Sequence, residues 1–105
     1  MASTQEYVDY VIEQLSDLRE IASLKMMGEY VLYYQGKVFG GIYDNRFLVK
    51  ITKSSEELMK HVRREIPYPG AKEMFLVEEL EDREFLNQLI PKMAEDIPLS
   101  KKRKR

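Results

Sequence analysis

The fold is decided by residues 28–50, whose sequence is GEYVLYYQGKVFGGIYDNRFLVK. Tyrosine, valine, leucine, isoleucine and phenylalanine dominate residues 21–51, as is typical of β-strands. The turn-like pairs Gln35-Gly36 and Asp44-Asn45 interrupt them at hairpin spacing. The pattern predicts an antiparallel meander of three or four strands, including strands at about 22–26, 37–43 and 46–51.

Helical patterns flank the meander on both sides. Ser3 and Glu6 form a capping-box pair, and apolar residues at helical spacing follow, which predicts a first helix over about 4–18. Ser54 and Glu57 repeat that pair and predict a second helix over about 55–65, which Pro67 ends.

The carboxyl-terminal part predicts one more strand and one more helix. The strand is EMFLVEE at 73–79, and Asp82 is the predicted cap of the helix that follows. Pro91 predicts a kink or a restart of that helix, and Pro98 closes it. We therefore expect a two-layer α+β fold, with helices packed on an antiparallel meander in the order α-β-β-β-β-α-β-α. Residues 1–98 would form a single domain and residues 99–105 a basic, disordered tail.

Composition narrows the class of protein. The chain has 105 residues, of which 44% are apolar and 33% charged, as is typical of one soluble globular domain. It has no cysteine, which excludes a disulfide framework and thiolate zinc sites. No apolar run approaches the ~20 residues of a membrane span, and the amino terminus does not resemble a signal peptide. We expect a cytoplasmic protein without a membrane partner.

The charge is distributed unevenly along the chain. The last five of its 17 basic residues are Lys101, Lys102, Arg103, Lys104 and Arg105, and the other 12 are outnumbered by 18 acidic residues. An acidic body is a poor scaffold for phosphate binding, whereas the tail alone is able to contact nucleic acid or another anionic partner. The alternative is that the tail is only a solvated terminus.

The side-chain period of two predicts what each face of the meander carries. With two-residue loops, one face carries Val31, Tyr33, Val38, Gly40, Ile42, Phe47, Val49 and Ile51, and a bulge at Gly36 would alter the pairing across the first hairpin. The opposite face carries Tyr30, Leu32, Phe39, Gly41, Tyr43 and Leu48.

Both faces are apolar, so both need a cover. The helices cover the first face, and Gly40 lets a helix approach. The second face is our predicted interaction surface, for a protein partner or a second copy; its alternatives are cover by this chain and a small-molecule or base-stacking platform. Gly41 would leave a depression there that Tyr30 shields.

No stretch of the sequence carries a catalytic constellation, and we expect a non-enzymatic protein without metal or cofactor. Lys53 and Ser54 are a candidate anion site, because a lysine there precedes free backbone donors at a helix start. Capping alone also explains the serine. His61, the single histidine, has no nucleophile pattern to activate. The acidic stretch 78–84 lacks the spacing of a calcium loop and is typical of a solvated helix start.

Residues 25–50 resemble the amino-terminal domain of the TfoX (Sxy) family of prokaryotic competence regulators. The matching positions are Lys25, Met26, Gly28, Glu29, Tyr30, Leu32, Tyr33, Gly36, Phe39, Asp44, Phe47 and Lys50. Met27 stands where the family usually has phenylalanine. The segment IPYPGAK and the helix after Asp82 are also similar, so the resemblance extends over about residues 5–98.

The resemblance implies a helix, an antiparallel meander and further helix-strand-helix elements in two layers. It also implies a role near transcription activation at competence promoters, where full-length members act with the cyclic-AMP receptor protein. Longer members carry a second, helical domain, whereas this chain has a basic tail at that point. The family supplies no catalytic residues to transfer. We expect a regulatory module that acts through protein contacts. The alternatives are accessory nucleic-acid binding by the tail, or a small-molecule binding or catalytic domain with a pocket near Tyr30, Gly41 and His61.

Overall fold

The computed structural model of the chain describes residues 3–26, 28–60 and 62–98, which form six strands and three helices. The elements, in chain order, are α1 (Gln5–Gln14), β1 (Ile21–Met26), β2 (Glu29–Tyr34), β3 (Lys37–Ile42), β4 (Phe47–Val49), α2 (Lys53–Leu58), β5 (Arg64–Glu65), β6 (Met74–Leu76) and α3 (Arg83–Asp96). The predicted α+β class and meander are confirmed.

The six strands form one antiparallel sheet in the order β1-β2-β3-β4-β6-β5. Because paired residues of antiparallel strands share a face, the register assigns every strand residue to one of two faces. One face, which we call the helix face, forms a single apolar core with the inner sides of α1 and α3. Its fully buried sheet residues are Leu32, Phe39, Ile42, Phe47 and Val49. We call the opposite side the open face.

The β3–β4 register agrees with the prediction, but the β2–β3 register agrees only beside the turn, where Tyr33 lies opposite Val38. Gly40 lies opposite Val49 and Gly41 opposite Leu48, as the two-residue loop requires. Farther along β2, however, Gly40 pairs with Leu32 and Gly41 with Val31, because a β-bulge shifts the register between Leu32 and Tyr33. The extra residue of β3 is Phe39, whose ring packs edge-on to that of Phe47 with centroids 6.5 Å apart. The bulge therefore brings Phe39 to the helix face, contrary to our prediction.

The first helix is shorter than predicted and is capped one residue later. Thr4, not Ser3, is the N-cap, and its hydroxyl accepts a hydrogen bond from the Tyr7 N–H. The Ser3 hydroxyl instead donates to Glu29 at the start of β2. Beyond Gln14 the chain continues in tight turns, with the Leu18 N–H donating to the Leu15 carbonyl. The first turn of α1 is thus tied to the β-sheet.

The second helix differs most from the prediction. Thr52 is its N-cap and forms a capping box with Ser55, so Ser54 is not the cap. The helix ends at Leu58, and Arg64 and Glu65 form β5 instead of a last helical turn. Their pairing with Phe75 and Met74 satisfies backbone groups that a helix would have used locally. Tertiary pairing therefore overrides local helix propensity here.

The last helix confirms Asp82 as its cap, since the Asp82 carboxylate accepts from the Phe85 N–H at 3.1 Å. The predicted restart at Pro91 is wrong, because α3 is one helix from Arg83 to Asp96. Lys37 on β3 donates to the Ala94 carbonyl near its end, which helps to hold the helix on the sheet. In the part of the chain that the structure describes, no helix has the length and apolar character needed to cross a membrane.

Candidate interaction surface

The open face carries apolar residues in rows that cross the sheet. One such row has a residue from each of five neighbouring strands, β1, β2, β3, β4 and β6. Its members are Leu24, Val31, Gly41, Leu48 and Leu76. From β4 toward β1 burial decreases: Leu48 is fully buried, Val31 is half-buried and Leu24 is 49% exposed. Solvent therefore reaches the apolar surface mainly at the β1 end of the sheet.

We call the group at that end the edge patch. Its members project from β1 and β2 on the open face, and they are Ala22, Leu24, Met26, Val31 and Tyr33. The β1 members are exposed, Met26 by 50%, and the β2 members are half-buried. Single exposed apolar residues are ordinary, but a contiguous group on a sheet marks a candidate contact surface.

Strand β1 is also an edge of the sheet. It is six residues long, whereas β5 at the other edge has two, and the described residues place no strand beyond β1. Short strands, prolines, bulges and several charges are the usual protections of an edge. Between Ile21 and Met26 there is one charged residue, Lys25, and no proline, and β1 pairs with β2 without a register shift. The β1 edge is accordingly the less protected of the two.

One hydrogen bond shows which backbone groups of β1 face outward from the sheet. The Gln35 N–H donates to the Glu20 carbonyl at 3.1 Å, and the same register continues along β1 and β2. Hydrogen-bonded and non-hydrogen-bonded pairs alternate in an antiparallel ladder. Ala22, Leu24 and Met26 thus use their backbone groups toward β2. Ile21, Ser23 and Lys25 direct theirs away from the sheet.

The two adjacent glycines occupy different environments, and neither matches our prediction. A Cβ on Gly40 would overlap the Leu48 carbonyl and lie 2.9 Å from the Val49 Cα, so β4, not a helix, requires this glycine. A Cβ on Gly41 would lie 2.5 Å from the Tyr30 carbonyl oxygen and 2.7 Å from the Tyr43 ring. The side chain that shields Gly41 is therefore that of Tyr43.

A loop at 66–73 lies beside the β3–β4 turn on the open face. The Arg46 guanidinium anchors it by donating to Glu65 Oε1 at 2.7 Å and to the carbonyls of Ile66 and Pro67 at 3.3 Å. The ring of Tyr68 lies 6.0 Å from that of Tyr43. Burial raises the pKa of the half-buried Tyr43 hydroxyl, with smaller contributions from the charges of Tyr68 and Glu29.

A cleft of about 810 Å³ lies between this loop and the sheet. Its lining includes Tyr43 and Tyr68 together with Lys50 and Lys72. The small-molecule alternative stays a prediction, and this cleft is where the open face offers room for it.

The six residues predicted to form an interaction surface do not form one together. Leu32, Phe39 and Leu48 have no exposed area, Tyr30 is 7% exposed, and Gly41 is also buried. The bulge places Tyr30, Leu32 and Phe39 on the helix face, and only Gly41, Leu48 and the half-buried Tyr43 remain on the open side. A contact role for the open face stays a prediction, but its accessible residues are those of the edge patch.

The predicted anion site at Lys53 and Ser54 faces a carboxylate of the chain itself. The Ser54 N–H donates to Asp96 Oδ2 at 2.8 Å, so the donor expected to meet an external anion is already paired. Hydrogen bonds from the Ser54 backbone and side chain lower the pKa of Asp96. The contact ties α2 to the end of α3.

Of the remaining candidate site residues, some lie outside the described part of the chain and others make contacts within it. His61 and the basic tail, Lys101 to Arg105, lie outside the described residues, and nucleic-acid contact by the tail stays a prediction. In the acidic stretch, Glu81 accepts from the Tyr10 hydroxyl at 2.8 Å and Asp82 caps α3. Within residues 3–26, 28–60 and 62–98, no group of three or more histidine, aspartate or glutamate side chains is placed to hold a metal ion.

Sequence reasoning missed the edge patch as a site, although a signal was present. The segment IASLKM has one charge and no proline, and both features are uncommon for a long edge strand. What the sequence did not show is that β1 is an edge and not a central strand. That property depends on how β6 and β5 join the sheet beyond β4.

The chain is similar in sequence to a known family and to a protein of similar length. The TfoX N-terminal domain family model matches residues 13–91. The chain is 32% identical over 105 residues to a protein from Spirochaeta aurantia described as an uncharacterized 12.7 kDa protein in the trpE 5′ region; the match spans 99% of this chain and 91% of that protein. No solved structure matches the chain. With three quarters of its length matched by the family model, the chain belongs to the TfoX N-terminal domain family.

Proposed function

We propose that this chain is a non-enzymatic module of a competence or transcription regulatory system in the cytoplasm, and that it acts by protein contact through β1 and the edge patch. The family, which is associated with competence regulation, supports the regulatory part of the proposal. The observation that carries the contact part is the exposure of Leu24 and Met26 on a six-residue edge strand.

A protein partner fits this surface better than a small ligand does. Leu24 and Met26 are about half exposed on an edge strand, whereas small molecules bind in concave sites that enclose them. Outward N–H and C=O groups at Ile21, Ser23 and Lys25 are able to pair with a strand from another chain. Leu24 and Met26 lie beside that edge and would lose exposed apolar surface on such pairing, which favours association.

The test is complementation in a host that encodes this chain. A deletion strain is supplied with the wild-type chain, with Leu24→Glu or with Ile66→Glu, and both natural transformation frequency and the transcript profile are measured. Ile66 is a matched control because it is 48% exposed and receives the same charge, but lies outside the edge patch.

We expect the deletion to change competence-gene transcripts, the wild-type chain and Ile66→Glu to restore them, and Leu24→Glu to fail. A deletion that alters neither transcripts nor transformation would overturn the regulatory role. Restoration by Leu24→Glu, at protein levels equal to wild type, would overturn the edge patch as the contact.

A further inference from the structure

The β1 edge has the pattern required for pairing with itself. We propose, building on the proposed function, that its partner is a second copy of this chain. The two β1 strands would pair antiparallel about a two-fold axis at Leu24, joining two six-stranded sheets into one continuous sheet.

The outward backbone groups restrict how two β1 strands meet. Only Ile21, Ser23 and Lys25 offer free donors and acceptors, so these residues must form the hydrogen-bonded pairs between copies. With the axis at Leu24, Ser23 of each copy exchanges hydrogen bonds with Lys25 of the other. The same geometry keeps the helices of both copies on one side of the joined sheet.

Side-chain size favours this register. Leu24 then lies opposite its own counterpart, and Ala22 lies opposite Met26, so that a small residue meets a long one. These are non-hydrogen-bonded pairs, in which opposite side chains approach most closely. An axis at Ser23 would instead set Leu24 against Ala22 and Met26 against Glu20, with less apolar contact.

Charge also favours an axis at Leu24. Lys25 is the one charged residue of β1, and here it lies opposite the neutral Ser23. An axis at Lys25 would set two ammonium groups against each other, which is unfavourable.

The size of the contact indicates a reversible dimer. A stable interface buries about 800 Å² on each partner, and a six-residue strand is only about 20 Å long. The edge and its patch supply less than a standard interface. We expect a dissociation constant on the order of micromolar, so the association depends on concentration within the range of light scattering.

Cysteine cross-linking tests the register directly, because the natural chain has no cysteine. Leu24→Cys places two thiols opposite each other across the axis, and mild oxidation should give a disulfide-linked dimer. Ser23→Cys is the matched control: its two Cα atoms would be about 8–9 Å apart, too far for a disulfide. Faster cross-linking of Ser23→Cys than of Leu24→Cys would overturn the axis at Leu24.

Light scattering over a dilution series tests the pairing without a cross-link. Ser23→Pro removes an N–H that faces away from β2 and should give a monomer, whereas Ser23→Ala keeps that N–H and should dimerise like wild type. Circular dichroism checks that each variant is folded; if Ser23→Pro is not, the cysteine pair alone decides.

A wild-type chain that stays monomeric at high concentration, with no preferential cross-linking at Leu24, would overturn the second copy as the partner. Failure of Leu24→Glu in complementation would then still support contact with a different protein. Conversely, a cross-linked dimer combined with normal complementation by Leu24→Glu would confirm the pairing and overturn its proposed role.

Discussion

The two faces of the sheet differ in how they are protected from solvent. On the helix face, residues of α1 and α3 form one buried core with the sheet, and Leu32, Phe39 and Phe47 have no exposed area. On the open face, protection comes from one loop and the Tyr43 ring, and it fades toward β1. Helices thus give uniform cover, whereas local cover leaves one end of the sheet available for contact.

The largest effect on stability is expected when a substitution in the core is compared with one in the edge patch. Phe39→Ala should lower the free energy of unfolding by about 3–5 kcal/mol, because it leaves a cavity against Phe47. Leu24→Ala should cost about 0.5 kcal/mol or less, since half of that side chain is already exposed. Chemical denaturation measures the free energy of unfolding of both variants, at a protein concentration too low for the proposed dimer to form. Similar costs for the two would contradict the unequal protection.

The adjacent glycines give a second, smaller test. Gly40→Ala and Gly41→Ala should each cost about 1–3 kcal/mol through overpacking. Gly40→Ala should cost more, because all its nearest neighbours are backbone atoms of β4, whereas the Tyr43 ring beside Gly41 is able to shift. Thermal denaturation measures the difference.

Gly70→Ala separates crowding from backbone strain at the glycines. Gly70 has no atom within 4 Å of an added Cβ but has a φ of +90°, so its substitution reports the left-handed conformation alone. A Gly40→Ala variant no less stable than Gly70→Ala would contradict close approach as the reason for Gly40.

Local rules predicted the parts of the fold that depend on neighbouring residues. Asp44-Asn45 sets the β3–β4 register, and Asp82 caps α3, as expected. The β2–β3 register was wrong from Leu32 to Tyr30 because a bulge at Phe39 breaks the side-chain period of two. That one shift moved Tyr30, Leu32 and Phe39 from the expected contact face into the core.

Candidate sites that depend on distant residues were not predictable in the same way. Ser54 meets Asp96, which lies 42 residues later in the chain, and no spacing rule connects the two. Likewise, the exposure of β1 depends on the order in which the last two strands join the sheet. The sequence predicted that both faces of the sheet would be apolar. Which end of the open face is accessible depends on the order of the strands, which the sequence did not show.

The smallest expected effect concerns the Arg46 anchor of the 66–73 loop. Arg46→Met keeps the apolar stem but loses the ion pair to Glu65 and the bonds to two loop carbonyls. We expect a cost of about 1–2 kcal/mol, since both charged side chains are only about a quarter exposed. Hydrogen exchange should also become faster in residues 66–73, because the loop loses its link to β4.

Arg63→Met is the control for the anchor, because Arg63 and Glu78 are 3.9 Å apart and more than half exposed. An exposed pair of this kind contributes about 0–1 kcal/mol. If Arg46→Met costs no more than Arg63→Met and leaves exchange in the loop unchanged, the loop does not depend on Arg46. The position of the loop beside the Tyr43 ring would then follow from its packing alone. If hydrogen exchange instead becomes faster in the loop and stays unchanged in the core, the Arg46 guanidinium holds the loop against the open face.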